Sequence, residues 1–231
     1  MADVTLRLDR LAVELGGQRR VDGVSLTLRA GEAIAVIGAN GAGKTTLLRA
    51  IAGLIPTATG GIEVAGLDPR TAGPGTSARD RLYFPQQPGC AWDPLVDELG
   101  AIAGQPTEWE RWRERLGLTA LAARPLSTLS GGERKAAHLA LLLAMLGEPF
   151  GKLVLLDEPT ASLDGRRQRT VRMIVQELAR AGAACLVATH DVGWAAEFPR
   201  AIALEEGRVV AAGTPTETLN ADGGRAARGE P

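Results

Sequence analysis

The stretch "AIAVIGANGAGKTTLLRAI", residues 33–51, decides the fold. Its opening "AIAVI" is an unbroken apolar run, as expected for a strand buried on both faces. Its closing "KTTLLRAI" has the spacing of a helix. Between them Gly38 to Thr45, "GANGAGKT", matches G-x-x-x-x-G-K-[ST] in full, in the strand–loop–helix context that gives this motif its meaning. The glycines Gly38, Gly41 and Gly43 let backbone N–H groups turn inward around phosphate oxygens, with Asn40 and Thr46 in the same loop. The helix start adds a favourable partial positive charge. Lys44 is placed to reach β- and γ-phosphates, and the Thr45 hydroxyl to bind Mg²⁺.

Working outward, "KLVLLDEP" is a second buried strand, ending in Asp157 and Glu158 at the edge where α/β sheets bind ligands. Asp157 suits the Mg²⁺ shell. Glu158 can orient, or take a proton from, an attacking water. "ACLVATH" is a third such strand. The first thirty residues alternate instead, "VTLRLDRLAVEL" then "VSLTLRA", and read as half-exposed strands around a Gly16-Gly17 turn. The helix after the phosphate loop is expected to stop near Pro56, and residues 68–80 read as loop. Strands alternating with helices argue a largely parallel core sheet, with an antiparallel flap at the start.

From about 88 to 128 the pattern changes. Trp92, Trp109 and Trp112 fall here, with the charged helix "TEWERWRERLGL". A separate helical lobe is expected over about 87–130, inserted into one domain spanning 1–218. Residues 219–231 are expected to form a disordered tail.

The composition narrows the function. The chain has 231 residues, 45% hydrophobic and 23% charged, with a net charge of −1. That balance gives no general pull toward nucleic acid or an anionic membrane, and no nucleic-acid partner is expected. Cys90 and Cys185 have no metal-site spacing and fit a reducing, intracellular setting. The longest purely apolar run, Leu139 to Leu146, is far short of the ~20 residues that span a bilayer. A role at a membrane therefore requires docking on another subunit.

No N-K-x-D motif for reading guanine is present. "LSGGE", residues 129–133, is followed by "VLLDEP", then "SLD" and "ATHD". In that order these motifs closely resemble the ATP-binding cassette family, over about residues 4 to 215. The resemblance implies a P-loop NTPase: a RecA-like α/β core with a mixed, largely parallel sheet, an N-terminal antiparallel β-subdomain and an inserted helical subdomain. It implies ATP and Mg²⁺, and two cassettes packed head to tail. Ser130, Gly131 and Gly132 would then close on ATP held by a partner cassette, itself or a homologue. Gln86 looks like the Q-loop glutamine that touches Mg²⁺ or water. Asp164 looks like the D-loop residue at the dimer seam, and His190 like the switch histidine on the γ-phosphate. With Glu158 and Lys44, His190 completes the expected catalytic set. His138 is read as structural.

Two positions depart from the family pattern. Leu15 stands where an aromatic residue often stacks on adenine. Such stacking contributes about 1–3 kcal/mol, so ATP binding is expected to be roughly tenfold weaker than with a tyrosine there. Leu141 replaces a usual arginine on the helix after the signature, which reads as a more apolar packing face.

By resemblance, the chain is expected to be the motor subunit of a membrane transporter, peripheral at the cytoplasmic face through an integral membrane subunit. "PLVDEL" and "THDVGWAAEFPRAIALEEGRVVAAG" resemble ATPases of energy-coupling-factor and related vitamin or metal importers, so import of a small solute is preferred. An exporter ATPase and a soluble cassette of the iron–sulfur assembly type are the alternatives. Trp92 has two open readings, an interface anchor for the membrane subunit or core of the lobe.

Overall fold

A computed structural model describes residues 4–55, 59–71 and 80–220. Contacts divide the chain into two compact units. The first comprises residues up to Tyr83, Pro149–Glu158 and Val175 onward. The second comprises Phe84–Glu148 and Pro159–Ile174.

The first unit holds both sheets. Strand β1 (Val4–Leu15) pairs antiparallel with β2 (Gln18–Arg29) and with β4 (Thr59–Val64), in the order β2-β1-β4. Their alternating burial is that of a sheet with one face on the core and one in solvent. The second sheet has β3 (Ala33–Ile37) at its centre, with the order β5-β6-β7-β3-β8-β9. Here β5 is Arg81–Phe84, β6 Leu153–Asp157, β7 Ala184–Ala188, β8 Arg200–Glu205 and β9 Arg208–Gly213. Every residue of β3, β6 and β7 is buried. These three strands run parallel, as does β8, and β9 returns antiparallel as a hairpin edge. The mixed, largely parallel sheet and the antiparallel flap are therefore both present.

Helix α1 (Lys44–Ile51) follows the phosphate loop and buries Leu47, Leu48 and Ile51 in one core with Leu6, Leu11, Val21, Leu28, Ile34, Leu155 and Leu186. It ends sooner than expected. The Leu54 N–H turns back to the Arg49 carbonyl at 2.9 Å, with Gly53 at φ +72. This left-handed glycine close stops the helix before Pro56 can. Residues 56–58 and most of the 68–80 loop lie outside the described residues.

The second unit is helical. It contains α2 (Glu98–Ala103), α3 (Pro106–Arg115), α4 (Gly131–Leu146) and the Gly165–Ile174 part of α5 (Gly165–Arg180). It is wider than the expected 87–130 lobe, because α4 packs on both α2 and α3 and so belongs with them. Trp109 and Trp112 are 4% and 5% exposed and form its core, whereas Trp92 is 59% exposed. The tryptophans thus divide, and the core reading of Trp92 falls. Cys90 is exposed and Cys185 buried, which pushes the Cys185 thiol up to about 12.

Two short helices complete the first unit. One is α6 (Val192–Ala195), just after His190. The other is α7 (Pro215–Asn220), which makes Leu219 and Asn220 helical rather than part of a disordered tail. The rest of that tail lies outside the described residues. No helix among the described residues is long and apolar enough to cross a membrane.

Candidate functional site

Adjacent parallel strands carry the chemistry of the first unit. The order β6-β7-β3 puts three carboxyl ends side by side, and each emits a singled-out residue. The phosphate loop leaves β3, Asp157 and Glu158 end β6, and His190 follows β7.

The loop is shaped for an anion. Gly43 caps α1 at φ +105, and a Cβ there would lie 2.4 Å from the Arg20 carbonyl oxygen of β2. Only glycine allows both the turn and that approach. No side chain caps α1 and no acidic residue sits in its first turn, so its N–H groups face the loop. The Lys44 ammonium is folded into this loop. It donates to the Gly38 carbonyl at 2.6 Å and to the Ala39 carbonyl at 3.2 Å. Burial pulls its pKa down, and the charges of Glu158 and Asp157 oppose that pull. A cleft of about 270 Å³ lies beside Ala39, Asn40, Gly41 and Ala42, but Glu205 and Glu206 form its other wall. Those carboxylates make it a poor phosphate seat; the α1 N-terminus is the better one.

Asp157 is fully buried. Its charge, after burial itself, helps push the Tyr83 phenol up to about 12. Glu158 is 5% exposed and adopts φ +48, the left-handed region that costs a side-chain-bearing residue of order 1–3 kcal/mol. Its N–H donates to the Ala188 carbonyl at 2.9 Å, which holds that conformation. Its Oε2 lies 2.7 Å from His190 Nδ1. The imidazole itself is 65% exposed. A buried carboxylate gripped by an exposed imidazole, beside a phosphate loop, is an arrangement suited to handling a water proton.

The remaining candidates lie in the second unit. Gln86 is exposed, two residues past Phe84. Ser130 caps α4 in a reciprocal capping box. Its Oγ accepts from the Glu133 N–H at 3.2 Å, and Glu133 Oε2 accepts from the Ser130 N–H at 2.9 Å and from its hydroxyl at 2.8 Å. Gly132 is squeezed, since a Cβ there would lie 2.6 Å from the Ser162 carbonyl oxygen. The Ser130–Gly132 turn and the loop leading to Asp164 therefore meet. The Asp164 carboxylate accepts from the Arg167 N–H at 2.9 Å and from its guanidinium at 2.7 Å. It caps α5, and the Arg167 bonds hold its pKa down. Sequence patterns missed Arg167, which also donates to the Leu116 and Gly117 carbonyls, and Arg134, which donates to the Leu126 and Leu129 carbonyls. No motif marks them, because apart from the Asp164 carboxylate their partners are backbone carbonyls.

A protein-family model described as "ABC transporter" matches residues 21–161. The chain belongs to the ABC transporter family. It is 39% identical over 223 residues to the hemin import ATP-binding protein HmuV of Streptomyces coelicolor, covering 90% of this chain and 78% of that one. It is 38% identical over 239 residues to the HmuV of Pseudomonas aeruginosa, covering 97% and 92%. The solved structure titled "Structure of ATP binding subunit of ABC transporter" superposes with a TM-score of 0.81 at 25% identity, covering 91% and 90%. The chain is thus a nucleotide-binding, ATP-hydrolysing subunit of the ABC type, with the cassette fold.

The capping box of this cassette gives a pH signature. Bonds from Ser130, the hydroxyl first and the N–H second, hold the Glu133 carboxyl below its ordinary value. A depressed folded pKa means stability that is present above the unfolded value and lost as pH falls through the folded one. Glu133→Gln is therefore expected to have the lower urea midpoint at pH 7. The gap should close as the pH drops below about 4; a gap unchanged in acid would remove the box as its source.

Proposed function

We propose that this cassette is the motor of an importer, working as a pair of cassettes that sandwich two ATP molecules and drive an integral membrane subunit. The Glu158–His190 contact at 2.7 Å carries the catalytic part of this reading. The likeness to hemin import ATP-binding proteins across nearly the whole chain supports import. It also makes an iron porphyrin a candidate cargo for the assembled transporter.

In this reading Lys44 leaves its two loop carbonyls to hold the β- and γ-phosphates, while N–H groups of Gly41 to Thr46 surround them. Asn40 lines the loop's outer edge. Hard oxygen donors at Thr45 and Asp157, next to phosphate oxygens, fit magnesium, which favours one or two carboxylates plus substrate phosphates. By its resemblance to the Q-loop glutamine, Gln86 would supply an amide to the magnesium or its water. Magnesium, when bound, neutralises charge on the transferring phosphoryl group. Glu158 orients the attacking water and takes its proton, and His190 holds Glu158 in place and reaches the γ-phosphate. Ser130, Gly131 and Gly132 of the second cassette close on the same phosphate, with Asp164 at the seam. Catalysis is then positioning and charge stabilisation.

Glu158→Gln is expected to bind ATP with near-normal affinity, to lose at least a hundredfold in turnover, and to accumulate as an ATP-loaded dimer on gel filtration. Near-normal turnover would overturn the assignment of Glu158. Leu15, 37% exposed at the end of β1, offers little to a base. Leu15→Tyr should tighten ATP binding about tenfold, read by titration calorimetry; an unchanged Kd removes the base from that strand end.

The attachment is tested by pull-down from gently solubilised native membranes, with partners identified by mass spectrometry. A multi-span subunit retained by the wild type and lost by Trp92→Ala, with basal ATPase intact, is the expected result. Exclusively soluble partners would overturn the transport reading.

A further inference from the structure

The Ser130 turn is held from a distance. The segment 93–97, just past the exposed Trp92, runs beside 122–127, just before Ser130. The Val96 N–H donates to the Arg124 carbonyl, Asp97 N–H to Ala122 and Leu126 N–H to Pro94, each at 3.0 Å, and Leu95 bridges Pro125. At the end of this ribbon the Asp93 carboxylate takes both donors of Ser127: the N–H at 2.7 Å and the hydroxyl at 2.6 Å. Ser127 lies in the short 3₁₀ turn Leu126–Thr128. Such a turn leaves N–H groups without partners of its own, and Asp93 supplies one from 34 residues upstream. The turn's carbonyls are held too. Arg134 takes Leu126 and Leu129, and Arg124 takes Thr128. The segment entering Ser130 is therefore fixed from both sides, its N–H side by a carboxylate on a different stretch of chain.

We propose that Asp93 is a positioning residue for ATP turnover: its grip on Ser127 sets the geometry of the Ser130 turn that closes on a second cassette's nucleotide. This rests on the two-cassette reading above. The latch is solvent-accessible and charge-assisted, which makes it a contact that can be broken without opening the core. It also lies next in sequence to Trp92, so a protein seated on that residue acts beside it. Asp93 has no part in holding the nucleotide in this scheme. Its loss should spare nucleotide binding and impair closure.

The test uses the full chain in two backgrounds. In wild type, Asp93→Asn and Ser127→Ala should each lower kcat about tenfold while the Kd for ATP stays within twofold and the melting temperature holds. Ser127→Thr, which keeps both donors, should restore kcat. In the Glu158→Gln background, Asp93→Asn should require about tenfold more ATP to form the dimer on gel filtration. Unchanged kcat and unchanged ATP-driven dimerisation in Asp93→Asn would overturn the latch. A parallel fall in kcat, ATP affinity and melting temperature would also overturn it, by reducing Asp93 to a fold contact. Failure of Glu158→Gln alone to dimerise with ATP would instead overturn the two-cassette reading, and the latch with it.

Discussion

Ala188 is the residue around which the first unit's chemistry is organised. In one parallel ladder it faces Val36, and in the other Asp157. Its carbonyl accepts the Glu158 N–H, and two residues later the chain delivers His190. One register shift in either ladder would turn alternate side chains to the opposite face. It would also separate the phosphate loop, the carboxylate pair and the imidazole, which are far apart in sequence. The buried apolar runs of β3, β6 and β7 therefore do more than stabilise a sheet. They lock the register that brings the site together.

The electrostatics follow from that convergence. A buried lysine and two buried carboxylates are costly singly, and each carboxylate raises the lysine's pKa as burial lowers it. Glu158 adds backbone strain, compensated by its N–H bond to β7 and its side-chain bond to His190. Strain of this kind at the end of a buried strand fixes the direction of a carboxylate far more tightly than a flexible loop can.

Much of this could be read from the sequence, and the reason is local. The loop motif, the apolar runs and the alternating first hairpin each encode their conformation within about ten residues, so the strands and the phosphate loop fall where expected. What escaped depends on distant partners. Nothing near Trp92 distinguishes it from Trp109 and Trp112, since burial was decided by how α2, α3 and α4 pack. The lobe extends beyond 87–130, because the apolar face of α4 does not announce in sequence which helices it will meet. Asp164 was legible as a motif residue, yet its bonds to Arg167 were not. Pro56 marks an end for α1 in the sequence, but Gly53 already stops the helix.

The contact between Gly132 and the Ser162 carbonyl has a mechanical meaning. With no room for even a methyl group, the Ser130 turn and the approach to Asp164 cannot slide past each other. They form one close-packed edge. If a second cassette is to be met at both points, the two meetings cannot occur in sequence; they arrive together or not at all. A docking edge built this way favours an all-or-none closure over a graded one, and its sharpness resides in a missing side chain.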